Sequence, residues 1–306
     1  MSPSVSIVLP VWNGAGDLRE MLPCIAAQQY EGQVEIVAID SGSRDESVEL
    51  LRQAGARVWE IPQHEFGHGK TRNFGVQQSQ GDIIVFLSQD AQPVGTNWLY
   101  SLVNVLEDKS VGAMFARQLP RPHATALEQF FHAEIYPQKS RTVSPAKRTR
   151  ELVFFSNVCS AARRDVCLRY PFDETLIMSE DQIFADTLLR NGLALVYAAN
   201  VAVIHSHSYD LSTLFRRNFD SGYSLRGFDS MQMSLGHKLQ RLARFWGSEV
   251  RFLVRAGSWA ALAQMPVYEM TRVVAFLLGG QGARIPSALR RKMSLHRAFW
   301  DENASD

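Results

Sequence analysis

The sequence lacks a long apolar helix and a paired set of cysteines. No apolar run reaches the ~18 residues of a membrane-spanning helix, and the three cysteines, Cys24, Cys159 and Cys167, are odd in number and lack metal-ligand spacing. It also lacks charge of one sign, since 32 Lys and Arg nearly cancel 31 Asp and Glu. Internal repeats and low-complexity tracts are missing too. These absences exclude a transmembrane span, a disulfide scaffold, a collagen, a coiled coil and a disordered chain. The amino terminus enters an apolar pattern without a basic stretch, a long apolar core or a small-residue cleavage site, so no secretory signal is expected. Unpaired thiols fit a reducing compartment, and the expected location is the cytoplasm. Nucleic acid is not expected among the partners.

What is present is ordinary globular material: 306 residues, 46% hydrophobic and 21% charged, enough for about two domains and a core that needs no staples. The balanced charge is unevenly spread. From Ser208 to Trp300 fourteen Arg and Lys face five acids, a local balance of +9, which suits an anionic partner or surface.

Short apolar runs alternate with helix-like stretches through the first 120 residues. Val5 to Val11, Val34 to Ile39, Ala56 to Ile61, Ile83 to Leu87 and Val111 to Phe115 read as strands, with helices over Asp17 to Gln29 and Thr71 to Gln78. Runs such as IIVFL, without polar alternation, imply strands covered on both faces. The fold class expected is therefore α/β, an open, mainly parallel sheet flanked by helices. Leu152 to Phe155, Leu195 to Tyr197 and Val201 to Ile204 are further strand candidates. Glu180 to Asn191 reads as a helix with Ser179 as N-cap, Gln182 as its capping-box partner and Gly192 as its end. Beyond Leu211 the apolar spacing is helical, with Arg and Lys between.

Ligands of such sheets sit beyond the carboxyl ends of the strands, where three motifs compete. Asn13-Gly14-Ala15-Gly16 followed by Asp40 imitates a dinucleotide fingerprint, but Arg19 occupies the position of the third glycine. His64-Glu65-Phe66-Gly67-His68 matches the zinc-protease string, yet Pro62, Gly67 and Gly69 disfavour the helix that chemistry needs. The third is a set spread over several loops. Asp90 closes a buried strand where a hard cation and a diphosphate can meet. Lys70, Arg72 and Asn73 follow a glycine-rich loop and bring donors to the same rim. Asp40 can accept from a ribose or a base, and Asp181 in the first turn of its helix can serve as a general base.

Taken in order, these segments resemble family 2 of the GT-A glycosyltransferases, and more narrowly its bacterial rhamnosyltransferases. The elements are Ile7-Val8-Leu9-Pro10-Val11-Trp12-Asn13, Ile39-Asp40-Ser41-Gly42-Ser43-Arg44-Asp45, HEFGHGKTRN from His64 to Asn73, Ser88-Gln89-Asp90-Ala91, FFSNVCSAARRDV from Phe154 to Val166, Tyr170-Pro171-Phe172-Asp173-Glu174, Ser179-Glu180-Asp181-Gln182, and HSHSYDLSTLFRRNFDSG from His205 to Gly222. The resemblance covers about Ser4 to Ser224. It implies a GT-A catalytic domain over 1–210, for nucleotide-sugar and acceptor, followed by a basic, mainly helical C-terminal region over 211–306.

The resemblance further implies donor contacts from Pro10, Trp12, Asn13, Asp40, Gly42, Lys70, Arg72, Asn73, Ser88 and Gln89. It implies a divalent cation, Mg2+ or Mn2+, on Asp90 with His205 or His207. Ser88 stands where the family's first metal-side acid would be, so one carboxylate of the usual acid-x-acid pair remains. Asp181 is the implied general base of an inverting transfer, with Glu180 orienting it or the acceptor. Asn157, Arg163 and Arg164 lie in the matched stretch without a role legible from type. The function expected is transfer of L-rhamnose from dTDP-L-rhamnose to a glycan or lipid-linked glycan of a surface polysaccharide or lipopolysaccharide. The alternatives are another nucleotide sugar, an NAD-binding oxidoreductase and an inactive glycan-binding module. Arg interleaved with Trp246, Phe252, Trp259 and Phe276 in the tail leaves two readings: peripheral contact with the anionic inner face of the cytoplasmic membrane, or packing on the catalytic sheet or in a homodimer.

Overall fold

The computed structural model describes residues 2–148, 153–227 and 234–302. In chain order the elements are β1 (Val5–Val11), α1 (Ala15–Ala26), β2 (Val34–Asp40), α2 (Ser47–Gln53), β3 (Arg57–Glu60), α3 (His68–Gln78), β4 (Ile83–Leu87), β5 (Gln92–Pro93), α4 (Trp98–Val105), β6 (Val111–Leu119), α5 (Ala126–Ile135), β7 (Arg141–Val143), β8 (Cys159–Arg163), α6 (Arg164–Arg169), α7 (Glu180–Arg190), β9 (Ala194–Ile204), α8 (Leu211–Ser224), α9 (Leu235–Arg255), α10 (Trp259–Gly280), α11 (Ser287–Met293) and α12 (Arg297–Glu302). They form two compact units. One gathers the chain up to Leu119, Tyr136–Leu176 and Glu180–His205; the other gathers Pro120–Ile135, Ile177–Ser179 and the chain from Ser206 onward.

The first unit is the expected α/β body, a sheet ordered β3-β2-β1-β4-β8-β6-β9-β5 with β7 added on β9. Its longest registers are parallel, β1 on β2 and β6 on β9, while β8 runs antiparallel between β4 and β6. IIVFL is buried along its whole length, as a strand covered on both faces must be. The core is built from Ile7, Leu9, Val85 and Leu87 on the strands and Leu18, Met21, Leu99 and Leu102 on the helices. Gly75 lets α3 close on β1, where an added Cβ would lie 2.4 Å from Val8 Cγ1.

Three expectations need correction. Phe154 and Phe155 form no strand, and Leu152 lies outside the described residues. The rings instead pack on Phe115 at 5.8 and 5.2 Å, so this apolar run is buried by aromatic contact without a ladder. The two short strands near residue 200 are one strand, β9, with a register irregularity against β6 between Ala198 and Ala202. Ser179 is no conventional N-cap: its φ is +64°, and the N–H of Gln182 donates to the Asp181 carboxylate. The zinc-protease string fails for the reason its glycines suggest, since Gln63–Glu65 is a single 3-10 turn and α3 begins only at His68.

The second unit is helical. α8 and α10 cross so closely that a Cβ on Gly222 would lie 2.1 Å from the Phe276 carbonyl oxygen, and one on Gly279 2.1 Å from that of Phe219. Phe130 of α5 packs on Phe245 and Phe252 of α9 at 5.2 and 5.6 Å. No helix among the described residues is long and apolar enough to cross a membrane.

Candidate active site

The start of α7 carries two successive acids with opposite surroundings. Glu180 is buried and paired with the equally buried Arg72, whose Nη1 lies 2.8 Å from its Oε1. Asp181 is half-buried, and its two oxygens accept from the N–H of Asn157 at 3.2 Å and of Gln182 at 2.8 Å. Burial first, and then the neighbouring Glu180 charge, push the Asp181 carboxyl up to about 7, although those N–H groups and Arg72 oppose the shift. A fixed, partly open carboxylate that exchanges a proton near neutrality is what general-base work requires.

Asp90 lies just past β4, and Asp181 reaches the same sheet edge through its partner. Ser88 N–H donates to the Val158 carbonyl at 2.9 Å, and Asn157, which holds Asp181, immediately precedes Val158. Asp90 Oδ2 lies 3.4 Å from His205 Nε2. On the other side of that ring, Nδ1 is 2.9 Å from Gln118 Oε1, and Gln118 Nε2 donates to Ser156 Oγ at 3.0 Å. Tyr136 is buried beside this group, and burial pushes its phenol up, so that it stays neutral. His207 follows two residues after His205; it is exposed, and its ring stacks on Tyr209 at 5.3 Å.

The loop after β1 is pinned from several sides. Pro10 costs β1 no ladder bond to β4, because that pairing ends at Val8. Asn13 takes a φ of +46°, receives the Arg44 N–H on its side-chain oxygen and donates its own N–H to Ser43 Oγ. Trp12 is left 48% exposed, an apolar face at the strand edges. Asp40 Oδ2 accepts from Gly42 and Ser43, whereas Oδ1 is buried without a hydrogen-bond partner. Gly42, at φ +82°, makes that turn possible. Lys70 is exposed on α3 and Ser88 half-buried after β4.

Three residues grouped above with a donor also make hydrogen bonds within the protein. Gln89 clamps the Trp12 backbone, accepting its N–H at 2.8 Å and donating to its carbonyl at 3.2 Å. Asn73 exchanges two bonds with the Phe172 backbone and donates to Glu174, fixing the 172–174 segment on α3. Arg72 serves Glu180 and the His68 carbonyl. Of the residues without a legible role, Arg163 is structural, donating to the Leu106, Lys109 and Val111 carbonyls. Sequence reasoning misses Gln118 because the fifth apolar run ends at Phe115, whereas β6 continues to Leu119; Ser156 lies in the matched 154–166 stretch, where nothing in its residue type marks it. The polar pair Arg117-Gln118 at the carboxyl end of this strand is the signal that finds Gln118.

The profile of Glycosyl transferase family 2 matches residues 6–170. The O-antigen chain rhamnosyltransferase RfbN of Salmonella typhimurium is 29% identical over 97% of this chain and 96% of its own. The O-antigen chain rhamnosyltransferase WbaN of Salmonella anatum is 29% identical over 98% of this chain and 96% of its own. Among solved structures, the mannosyltransferase PcManGT from Pyrobaculum calidifontis, in complex with GDP-Man and Mn2+, aligns at a TM-score of 0.63 and 18% identity, covering 92% of this chain and 86% of that one. TarS of S. aureus aligns at 0.56 and 18%, covering 98% and 88%. Such identities carry the fold alone, and the fold is of GT-A type. With the family profile spanning more than half its length, the chain belongs to glycosyl transferase family 2 and is a glycosyltransferase.

Proposed function

We propose that this enzyme transfers L-rhamnose, with inversion, from dTDP-L-rhamnose to a glycan or lipid-linked glycan acceptor in the assembly of a surface polysaccharide or lipopolysaccharide. The near full-length similarity to two O-antigen chain rhamnosyltransferases supports the sugar. The observation that carries the mechanism is Asp181, a fixed carboxylate with its proton affinity raised to about 7 at the sheet edge that also bears Asp90.

In this reading Asp181 takes the proton from the acceptor hydroxyl as its oxygen forms a bond to the anomeric carbon. The bond from that carbon to the diphosphate breaks, and its electron pair leaves with the diphosphate. Trp12 offers a face for the base, and the unpaired Asp40 Oδ1 an acceptor for a nucleoside N–H or hydroxyl. Lys70 adds positive charge at the rim. Asp90 and His205 fit a hard divalent cation, Mg2+ or Mn2+: neighbouring ligands of an octahedral ion at about 2.1 Å stand about 3 Å apart, close to the 3.4 Å between their ligating atoms. His207, two residues along, is the candidate third ligand. The ion supplies neutralisation of charge on the departing diphosphate.

The second unit is the proposed membrane-facing part. On α9, exposed Arg241, Arg244, Arg251 and Arg255 interleave with exposed Leu239, Val250 and Val254, and Trp259 is 65% exposed at the start of α10. Charge and apolar surface on one helix suit an anionic lipid interface at the cytoplasmic face.

The deciding experiment is calorimetric binding of dTDP-L-rhamnose, UDP-glucose, GDP-mannose and NAD, with and without Mn2+, to the native chain and to Asp181→Asn. The native chain is expected to select the dTDP sugar with cation assistance. Asp181→Asn is expected to bind it near normally and to lose transfer. Preference for another donor overturns rhamnose, and retained turnover in the variant overturns the base.

A further inference from the structure

We propose that Gln118 is a positioning residue for the cation site, fixing the tautomer of His205 so that Nε2 presents a lone pair toward Asp90. The inference rests on the cation reading above and adds to it the residue that makes His205 a competent ligand.

The geometry begins with the backbone. Gln118 is opposite Val203 in the β6/β9 register, and the His205 N–H donates to the Leu119 carbonyl at 2.9 Å. Amide and imidazole therefore leave adjacent strand ends side by side. Gln118 is 4% exposed, and Ser156 is buried as well. Because Nε2 of Gln118 donates to Ser156 Oγ at 3.0 Å, the amide is oriented with Oε1 toward His205 Nδ1, 2.9 Å away. An amide oxygen only accepts, so Nδ1 must carry the hydrogen. In the neutral ring Nε2 then bears the lone pair, and it lies 3.4 Å from Asp90 Oδ2, beyond a good hydrogen bond. A histidine ligand whose other nitrogen is held in this way keeps its ring orientation and gains basicity at the ligating atom.

The test uses the full chain and Mn2+, with free Mn2+ followed by electron paramagnetic resonance in the presence and absence of dTDP. Gln118→Met, of similar volume but without the acceptor, is expected to weaken Mn2+ binding about tenfold or more, whereas Gln118→Glu, which still accepts from Nδ1, is expected to stay within about threefold. Nitrogen-15 spectra of the metal-free protein, at a pH where the ring is neutral, are expected to show His205 protonated at Nδ1 in the native chain and to lose that preference in Gln118→Met. A purely structural role would lower the thermal midpoint of both variants while leaving Mn2+ affinity and the tautomer alone. Unchanged Mn2+ affinity in Gln118→Met, or equal losses in the two variants, overturns the inference. Should Gln118→Met fail to fold, Ser156→Ala, which frees the amide to turn, is expected to weaken Mn2+ severalfold, and native affinity there overturns it equally. A native chain that leaves Mn2+ free even with dTDP overturns the cation reading itself, an outcome distinct from the others.

Discussion

Glu180→Gln tests the electrostatics of the proposed base. Asp181 is raised to about 7 by burial and by the adjacent Glu180 charge. Taking ~6 Å between successive carboxylates and an effective dielectric of about 20, the repulsion is about 3 kcal/mol, or about two pKa units. Removing it leaves the burial in place, and it also leaves Arg72, 2.8 Å from the former carboxylate, free to stabilise the ionised Asp181. The acid limb of kcat/KM, where activity rises as Asp181 loses its proton, should therefore move from near pH 7 to about pH 5–6. The plateau should fall at the same time, by up to about tenfold for a base weakened by two units. The two profiles then converge on the acid side, where the native base is mostly protonated.

The assay is initial-rate transfer at low donor concentration from pH 5 to 9, with circular dichroism at each pH. Stability needs its own control, because an unpaired buried Arg72 costs about 3–5 kcal/mol. The double variant Arg72→Met, Glu180→Gln removes both charges; it should regain stability and carry a limb between those of the native enzyme and Glu180→Gln. A limb that stays near pH 7 in Glu180→Gln would refute the argument, since burial alone would then hold Asp181 where it is.

Three further outcomes are expected. Glu249, buried with Glu269 nearby, is raised to about 7 by desolvation and that second charge. Its folded pKa thus exceeds the unfolded one, so stability is fullest below about pH 4.3 and is lost as pH rises to 7; Glu249→Gln should gain about 1–3 kcal/mol at pH 8 and nothing at pH 4. Equal gains in urea unfolding at both pH values would sink this. Gly279→Ala should lower the thermal midpoint by roughly 4–10 °C, because its Cβ meets the Phe219 backbone. Gly247→Ala, whose Cβ would meet only the tip of Arg251 at 3.9 Å, should not lower it. Finally, the protein should sediment with anionic liposomes at low salt and be released at about 0.5 M salt; no sedimentation removes the membrane from the proposal.

The sheet was legible because its evidence is local. A run such as Ile83 to Leu87, apolar at every position, has few ways to be satisfied other than as a covered strand. The place of Asp181 in a first helical turn was legible, but its electrostatics were not: the helix end favours the ionised form, whereas burial and the Glu180 charge push its pKa up to about 7. Partners were not. Arg72 and Asn73 have residue types that suit a diphosphate rim, yet one is paired with Glu180 and the other clips Phe172, about a hundred residues along the chain. Gln89, expected among the donor contacts, holds the Trp12 backbone. Nothing in residue type distinguishes a polar side chain whose hydrogen-bonding capacity is consumed by the fold from one whose capacity is left over for a ligand. That distinction is made by tertiary packing: Gln89 and Asn73 have both ends of their amides bonded within the protein, whereas Arg72 Nε and Asp40 Oδ1 are buried without a hydrogen-bond partner, and Asp181, each of whose oxygens accepts one backbone N–H, stays only half-buried. Gln118 belongs to a third kind, bonded at both ends of its amide, one of them to the far side of a candidate ligand.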